Sequence, residues 1–133
     1  MRYLLDTNIV SNLIREPQGR VAGRIIDLGE ARVCTSIIVA AELRYGATKK
    51  ASPRFTSRVE AILSALDTLP FDSPADEAYG AIRTQLESAG TPMGGNDLLI
   101  AAQAISLGYT VVTDDESKFS QVPGLPVANW LRT

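Results

Sequence analysis

The sequence predicts an α/β fold in which helices cover both faces of a mainly parallel sheet of short strands. Short apolar segments alternate along the chain with longer stretches whose apolar residues recur at helical spacing. This alternation is typical of parallel sheets buried between helices. The length of 133 residues is that of one domain, and no linker, repeat or low-complexity segment divides it. We therefore predict a single domain over residues 1–133.

The N-terminal region predicts one strand and two helices. Arg2–Leu5 is an apolar run that stops at an aspartate, which is consistent with a buried strand. Thr7 or Asn8 is predicted to cap a helix that runs to about Glu16, because a proline follows there. A second helix is predicted over Arg20–Leu28, ending near a glycine.

The middle of the chain predicts a strand and a helix, followed by a further helix and a weak strand. Val33–Thr35 reads as a strand, and the pattern IIVAAELRYGA after Ser36 predicts a helix. Arg54–Leu66 has apolar residues at helical spacing, and Pro70–Phe71 is a weak candidate for a strand.

The C-terminal region predicts two helices and a last strand. One helix is predicted over Ala75–Ser88, where a glycine and a proline close it. Asn96 or Asp97 is predicted to open the apolar helix DLLIAAQAISLG, and Tyr109–Thr113 is a strand that ends at two aspartates.

Four acidic residues stand either at the end of an apolar run or in a predicted helix, at its start or inside it. They are Asp6, Glu42, Asp97 and Asp115. Ligands of parallel α/β sheets bind beyond the carboxyl ends of the strands, so we expect the four acids to meet in one cleft there. Like charges oppose joint ionisation, and a hard divalent cation with oxygen ligands relieves that repulsion. These residues therefore predict metal-dependent phosphate chemistry.

The composition excludes several other kinds of site. The chain has no histidine, which rules out Ser-His-Asp and Cys-His catalysis and histidine-ligated zinc. Cys34 lies in the apolar stretch VCTSIIVAA, where a buried, inert thiol is expected. The net charge of −2 gives no basic footprint for a freestanding nucleic-acid binder. No apolar run suits a membrane span or a signal peptide, so a cytoplasmic location is expected.

Four ordered segments carry a family resemblance and together span nearly the whole chain. They are LLDTN, TSIIVAAELRYGA, GTPMGGNDLLIAAQAISLG and VVTDDESKFSQVPGL. The chain resembles the PIN-domain family and, within it, the VapC-type toxins of bacterial toxin–antitoxin pairs. The resemblance implies a PIN-like three-layer α/β/α sandwich with a short-stranded central sheet. It also implies a Mg²⁺- or Mn²⁺-dependent endoribonuclease that hydrolyses RNA phosphodiester bonds.

The resemblance also assigns roles to individual residues. The catalytic and metal-binding acids would be Asp6, Glu42, Asp97 and Asp115. The supporting residues would be Thr7, Asn8 and Thr113. In many relatives an acid precedes the phenylalanine of the last segment, whereas Lys118 stands there in this chain. Asp114 reads as a turn residue, and Glu116 is a less favoured alternative to Asp115 as the fourth ligand.

The resemblance further implies partners. These are a second copy of the chain, a cognate VapB-like antitoxin, an RNA substrate, and DNA contacted only through the antitoxin, with no membrane. The antitoxin would dock on the first helices and on the Arg54–Leu66 region. Periodicity leaves open whether the apolar side chains there form a groove or belong to the core. The side chains in question are Ile9, Leu13, Ile14, Leu63 and Leu66.

Each acid has an ordinary structural alternative, and two rival functions follow. Asp6 and Asp97 could cap helices, and Asp115 could be an ordinary turn residue. Glu42 could be a solvated helix residue or could pair with Arg44 or Arg83. One rival is a non-catalytic PIN module that acts with a DNA-binding antitoxin in promoter regulation. The other is a receiver- or dehalogenase-like phosphoryl-transfer protein, but such proteins need a second acid near the first strand.

Basic residues are weaker candidates for contacts with RNA phosphates. Arg15, Lys49 and Lys118 are the ones that we single out. For two arginine pairs at helical spacing, we prefer the interpretation that they lie on a solvated surface. They are Arg20 with Arg24, and Arg54 with Arg58.

Overall fold

The computed structural model describes residues 1–132 and shows one parallel sheet of five strands within that range. The strands are β1 (Tyr3–Leu5), β2 (Val33–Ser36), β3 (Asp67–Leu69), β4 (Thr110–Val112) and β5 (Val127–Ala128). They are ordered β3-β2-β1-β4-β5, and each neighbouring pair is parallel. The predicted α/β class with a parallel sheet is confirmed, and β1 lies at its centre.

Helices flank this sheet. They are α1 (Thr7–Arg15), α2 (Arg20–Leu28), α3 (Ile37–Lys50), α4 (Pro53–Ala65), α5 (Ala75–Ser88), α6 (Gly95–Leu107) and α7 (Glu116–Phe119), with a short 3-10 turn before β2. Every residue of β2 and β4 is buried although successive side chains point to opposite faces. Both faces are therefore covered, as the predicted α/β/α sandwich requires. None of the helices within residues 1–132 combines the length and apolar character needed to cross a bilayer.

Aliphatic side chains fill the core between the layers. Leu4 and Leu5 of β1 are fully buried, and a side chain of this size contributes about 1.5–3 kcal/mol when it leaves water. The sequence did not decide whether the apolar side chains of the first and fourth helices form a groove or belong to the core. Four of them are buried: Ile9, Leu13, Ile14 and Leu63. Cys34 is also fully buried, and desolvation raises the pKa of its thiol to about 11. A thiol in this environment is unreactive, as predicted.

Two helices begin at different residues from those predicted. Asp6, and not Thr7 or Asn8, caps α1, because its side chain accepts a hydrogen bond from the Thr7 N–H at 2.8 Å. A carboxylate in this position satisfies a free N–H group and interacts favourably with the helix dipole. Helix α6 begins at Gly95, so Asp97 lies in its first turn instead of opening the helix.

The weak strand predicted at Pro70–Phe71 is wrong. Strand β3 comprises the preceding residues, Asp67–Leu69, which pair with β2 in parallel register. Pro70 has no N–H to donate to a sheet ladder. Its carbonyl instead accepts a hydrogen bond from Gln103 Nε2 at 2.9 Å, which ties the end of β3 to α6.

The sequence interpretation misses two short C-terminal elements. Strand β5 joins β4 through hydrogen bonds from the Val111 N–H to the Pro126 carbonyl (3.0 Å) and from the Thr113 N–H to the Ala128 carbonyl (2.9 Å). Helix α7 is a single turn anchored by the fully buried Phe119. Neither element is long enough to show a periodic pattern. Helix α7 nevertheless matters, because it carries a lysine to the edge of the sheet where the acids lie.

Candidate metal centre

The four predicted acids come from the carboxyl edge of the sheet. Asp6 directly follows β1, and its N–H donates to the Val112 carbonyl at 2.9 Å, which extends the pairing of β1 with β4. Asp115 follows β4 and directly precedes α7. Glu42 lies in α3, the helix that follows β2, and Asp97 lies in the first turn of α6. Parallel pairing therefore gathers residues that are more than a hundred positions apart in the sequence.

Asp6 is the buried centre of this cluster, with only 5% of its surface exposed. Its Oδ1 accepts the hydrogen bond from the Thr7 N–H, and its Oδ2 accepts one from Thr113 Oγ1 at 2.9 Å. Burial raises the pKa of Asp6 to about 6; the charges of Asp97 and Glu42 also raise it, and the two hydrogen bonds oppose the change. A desolvated carboxyl group that faces two like charges is one that a bound cation would stabilise.

Two threonines connect the acids to one another. Thr7 Oγ1 donates to Glu42 Oε1 at 2.6 Å, while its N–H donates to Asp6. Thr113 is fully buried; its Oγ1 donates to Asp6 and accepts from the Asp115 N–H at 3.0 Å. Both residues therefore lie where a supporting role for the acids requires them, and that role stays a prediction.

Asp97 and Asp115 share a lysine. Lys118 Nζ lies 2.8 Å from Asp97 Oδ2 and 3.2 Å from Asp115 Oδ2. Hydrogen bonds to these two carboxylates raise the pKa of Lys118 to about 12, and the bond to Asp97 has the larger effect. The ammonium group thus balances part of the negative charge of the cluster.

The neighbouring polar residues have separate partners. Asn8 Nδ2 donates to Asp114 Oδ1 at 3.0 Å, so this pair closes the turn after β4 against α1. Glu116 accepts hydrogen bonds from Asn129 Nδ2 at 3.2 Å and from Arg132 at 3.0 Å. These contacts draw Glu116 towards the C-terminal segment, which favours Asp115 over it as the fourth acid.

The arginines suggested as partners of Glu42 are paired elsewhere. Arg44 binds Glu60 at 2.9 Å, and Arg83 binds Glu87 at 3.1 Å. The suggested pairing of Glu42 with an arginine is therefore wrong, and its carboxylate instead contacts Thr7.

A pocket opens beside Glu42, and three of the five residues that line it were not among the predicted site residues. It has a volume of about 460 Å³ and is lined by Thr7, Ala41, Glu42, Tyr45 and Asn96. Tyr45 lies one helical turn after Glu42 in α3 and is 68% exposed. The spacing of three residues places both side chains on the same face of the helix, and that spacing is the signal that could have identified Tyr45.

The donor chemistry of the cluster fits a hard cation. Its side chains offer carboxylate and hydroxyl oxygens, which are the ligands that Mg²⁺ and Mn²⁺ prefer. Within residues 1–132, no three acidic or cysteine side chains are arranged to hold one ion jointly. Lys118 holds one oxygen each of Asp97 and Asp115, and Thr7 holds one oxygen of Glu42. A cation would therefore exchange some of these contacts for its own.

Comparison with known proteins adds an independent finding. The PIN domain family matches residues 3–125. The tRNA(fMet)-specific endonuclease VapC of Salmonella typhimurium is 36% identical over 131 residues, and the match covers 98% of each chain. The crystal structure of DNA-bound VapBC from Salmonella typhimurium contains a chain with a TM-score of 0.91 at 36% identity and 98% coverage of both chains. VapBC2 from Rickettsia felis, bound to a DNA fragment from its promoter, gives 0.88 at 35% identity, with 98% and 99% coverage.

The raised pKa of Asp6 predicts how the metal-free protein responds to pH. The pKa of about 6 in the folded protein exceeds the ordinary aspartate value of 3.8, so the folded state holds this proton more tightly than the unfolded chain. The contribution to stability is complete below about pH 4 and is lost as the pH rises through about 6, at a cost of about 3 kcal/mol. Urea unfolding in EDTA at pH 4 to 7 measures this loss.

The matched variant for that experiment is Asp6→Asn, which keeps one oxygen acceptor and cannot ionise. We expect the difference in unfolding free energy between variant and wild type to move in the variant's favour by roughly 2 kcal/mol from pH 4 to 7, because the unfolded chain is already partly ionised at pH 4. A difference that does not change with pH would contradict the prediction.

Thr113 predicts a second effect on stability. Thr113→Val leaves the buried Oδ2 of Asp6 without its donor and the Asp115 N–H without its acceptor. We expect a loss of about 1–3 kcal/mol in the free energy of unfolding, measured by urea denaturation, because buried polar groups are then unpaired. Thr113→Ser keeps the hydroxyl group and should retain most of the stability. A Thr113→Val variant that is at least as stable as Thr113→Ser would contradict the role of the two hydrogen bonds.

Proposed function

Because the chain belongs to the PIN-domain family and, within it, to the VapC group, we propose that it is a divalent-metal-dependent endoribonuclease and the toxin of a VapBC-type toxin–antitoxin pair. The whole chain would act as a single PIN domain in the cytoplasm, hydrolysing RNA phosphodiester bonds until a cognate antitoxin neutralises it. The relative from Salmonella typhimurium is named for tRNA(fMet), so this transfer RNA is the first substrate to test.

The environment of Asp6 is the observation that carries this proposal. A structural cap would lie in water or face a positive group, whereas Asp6 is buried and Asp97 and Glu42 raise its pKa. Such an arrangement destabilises the ionised form of Asp6 in the protein alone. A bound cation would make the ionised form of Asp6 favourable. A metal site therefore explains the cluster better than helix capping does.

We assign Asp6 and Asp97 as the main metal ligands, with Glu42 and Asp115 completing the site directly or through water. A bound Mg²⁺ or Mn²⁺ ion would polarise the scissile phosphate and lower the pKa of an attacking water. Thr113 and the Thr7 N–H fix the carboxylate of Asp6, and Thr7 Oγ1 orients Glu42. Glu42 also lines the adjacent pocket, where it could accept a hydrogen bond from the nucleophilic water. This chemistry needs no histidine.

A groove on another part of the molecule supports the proposed antitoxin partner. It has a volume of about 250 Å³ and is lined mainly by apolar side chains of α1, α2 and α4: Leu13, Pro17, Ala22, Ile25, Ile26, Ile62, Ala65 and Leu66, with Glu30 and Val33 at one side. Ile26 is 80% exposed there. These are the elements that the sequence predicted for docking, and an amphipathic helix suits a groove of this kind.

The location of this groove places the proposed antitoxin site away from the proposed RNA-cleaving site. Val33 is the first residue of β2, whereas the acids follow the ends of strands, so the groove extends towards the opposite edge of the sheet. The structurally similar VapBC complexes from Salmonella typhimurium and Rickettsia felis were solved with DNA bound. With a net charge of −2, this chain would reach DNA only through its antitoxin, in a dimeric or larger assembly.

RNA cleavage tests the proposed activity. Antitoxin-free protein with Mg²⁺ or Mn²⁺ should cut cellular RNA at discrete sites, with the tRNA(fMet) transcript as a defined substrate, and EDTA should abolish cleavage. Asp97→Asn should lower the rate at least ~100-fold, since a direct metal ligand matters more than the outer groups that orient it. Mapping of new 5′ ends gives the sites and the rates.

The matched control for this experiment is Asp76→Asn. Asp76 is exposed and lies in the first turn of α5, as Asp97 lies in the first turn of α6, so the same chemical change is made in the first turn of a helix in both cases. Its rate should equal that of the wild type. Cleavage that persists in EDTA or in Asp97→Asn would contradict the metal-dependent mechanism and favour the non-catalytic module.

Antitoxin binding tests the groove. Ile26→Asp places a charge in the apolar groove and should raise the dissociation constant for the cognate antitoxin at least ~10-fold, as measured by calorimetry. Leu107→Asp is the control, because Leu107 is an exposed apolar residue at the end of α6, outside the groove. Equal affinities of the two variants would exclude the groove as the docking site.

A further inference from the structure

Lys118 occupies a position between two of the proposed metal ligands. Its Nζ lies 2.8 Å from Asp97 Oδ2 and 3.2 Å from Asp115 Oδ2. Asp115 directly precedes the single turn of α7 and Lys118 follows three residues later, so the turn directs the lysine back towards the residue at which the turn starts. The buried Phe119 fixes that turn against the core. The contact therefore results from how α7 is anchored.

Two-metal nucleases hold a second ion through carboxylates of this kind, with the two ions about 3.5–4 Å apart. In this chain an ammonium group already lies between the carboxylates of Asp97 and Asp115 and engages one oxygen of each. A cation bound to the same two oxygens would lie against that positive charge, and mutual repulsion would oppose its binding. The other oxygen of Asp97, Oδ1, is not used by Lys118 and remains available to an ion held with Asp6.

We propose that Lys118 takes the place of a second divalent cation, so that the chain binds one metal ion where a two-metal site would bind two. The ammonium group and one divalent ion together supply three positive charges to the four carboxylates. The proposal rests on the proposed function, because it concerns the metal site of that enzyme. Lys118 is a positioning and charge-balancing residue here, and it takes no part in bond breaking.

The competing explanation is an ordinary surface ion pair. The side chain of Lys118 is 43% exposed, and ion pairs with this exposure contribute little to stability. An ordinary pair would open when metal is added, and both ions would then bind. The number of ions bound per chain separates the two explanations, whereas stability does not.

The experiment counts Mn²⁺ ions bound to the antitoxin-free full chain, from the electron paramagnetic resonance signal of free Mn²⁺ during titration. We expect one ion for the wild type and for Lys118→Arg, which keeps the positive charge. We expect two for Lys118→Met, with the second ion binding at least tenfold more tightly than any second ion in the wild type. Lys50→Met is the matched control, since Lys50 lies at the end of α3 against Phe55, and it should bind one ion.

The outcomes separate this inference from the proposed function. Two ions in the wild type, or one ion in Lys118→Met, would overturn the role of Lys118 and leave the metal-dependent nuclease intact. No ion in the wild type would overturn the metal dependence itself, and the inference with it. Lys118→Glu, which replaces the ammonium by a carboxylate, should also bind two ions; it decides the question if circular dichroism shows that Lys118→Met is not folded.

Discussion

The burial of one carboxylate, that of Asp6, is the constraint on which the rest of the structure depends. The same residue ends β1, continues its pairing with β4 through its N–H, and caps α1 through its side chain. Because these backbone roles fix Asp6 at the centre of the sheet edge, its charge cannot move into solvent. The elements around it must therefore supply hydrogen bonds, and an ion would supply the opposite charge.

The order of the strands explains how distant residues reach this carboxylate. Strand β1 is central, β2 leads into the helix that carries Glu42, and β4 leads to Thr113 and Asp115. A parallel sheet places the carboxyl ends of all these strands on one side, where α/β proteins bind their ligands. Thr7 and Thr113 then link the acids to one another. Thr7 contacts Asp6 and the side chain of Glu42, and Thr113 contacts Asp6 and the backbone of Asp115.

The sequence predicted the parts of the fold that have a strong local signal. Strands β1, β2 and β4 are apolar runs that end in polar residues, and α5 was predicted with the bounds that it has. Asp6 and Asp115 drew attention because they follow such runs, and Asp97 because it lies near a helix start. Glu42 lies inside α3 and joined the set through its place in the helix pattern and the family resemblance, and the role of all four as ligands stays a prediction. Strand β5 and helix α7 were missed, since two and four residues show no period. The contact of Lys118 with Asp97 could not be predicted either, because it depends on how α7 folds back against α6.

Asp6 uses both of its oxygens in hydrogen bonds, whereas the other acids of the cluster are less completely paired. Thr7 binds one oxygen of Glu42, and Lys118 binds one oxygen each of Asp97 and Asp115. A cluster selected for stability alone would pair its charges fully or replace them with apolar groups, which often costs nothing or gains stability. Incomplete pairing keeps the acids in place while leaving negative charge for a cation to neutralise. This pairing pattern is the one that the proposed cation site requires, since sites that bind charged ligands commonly give up some stability for function.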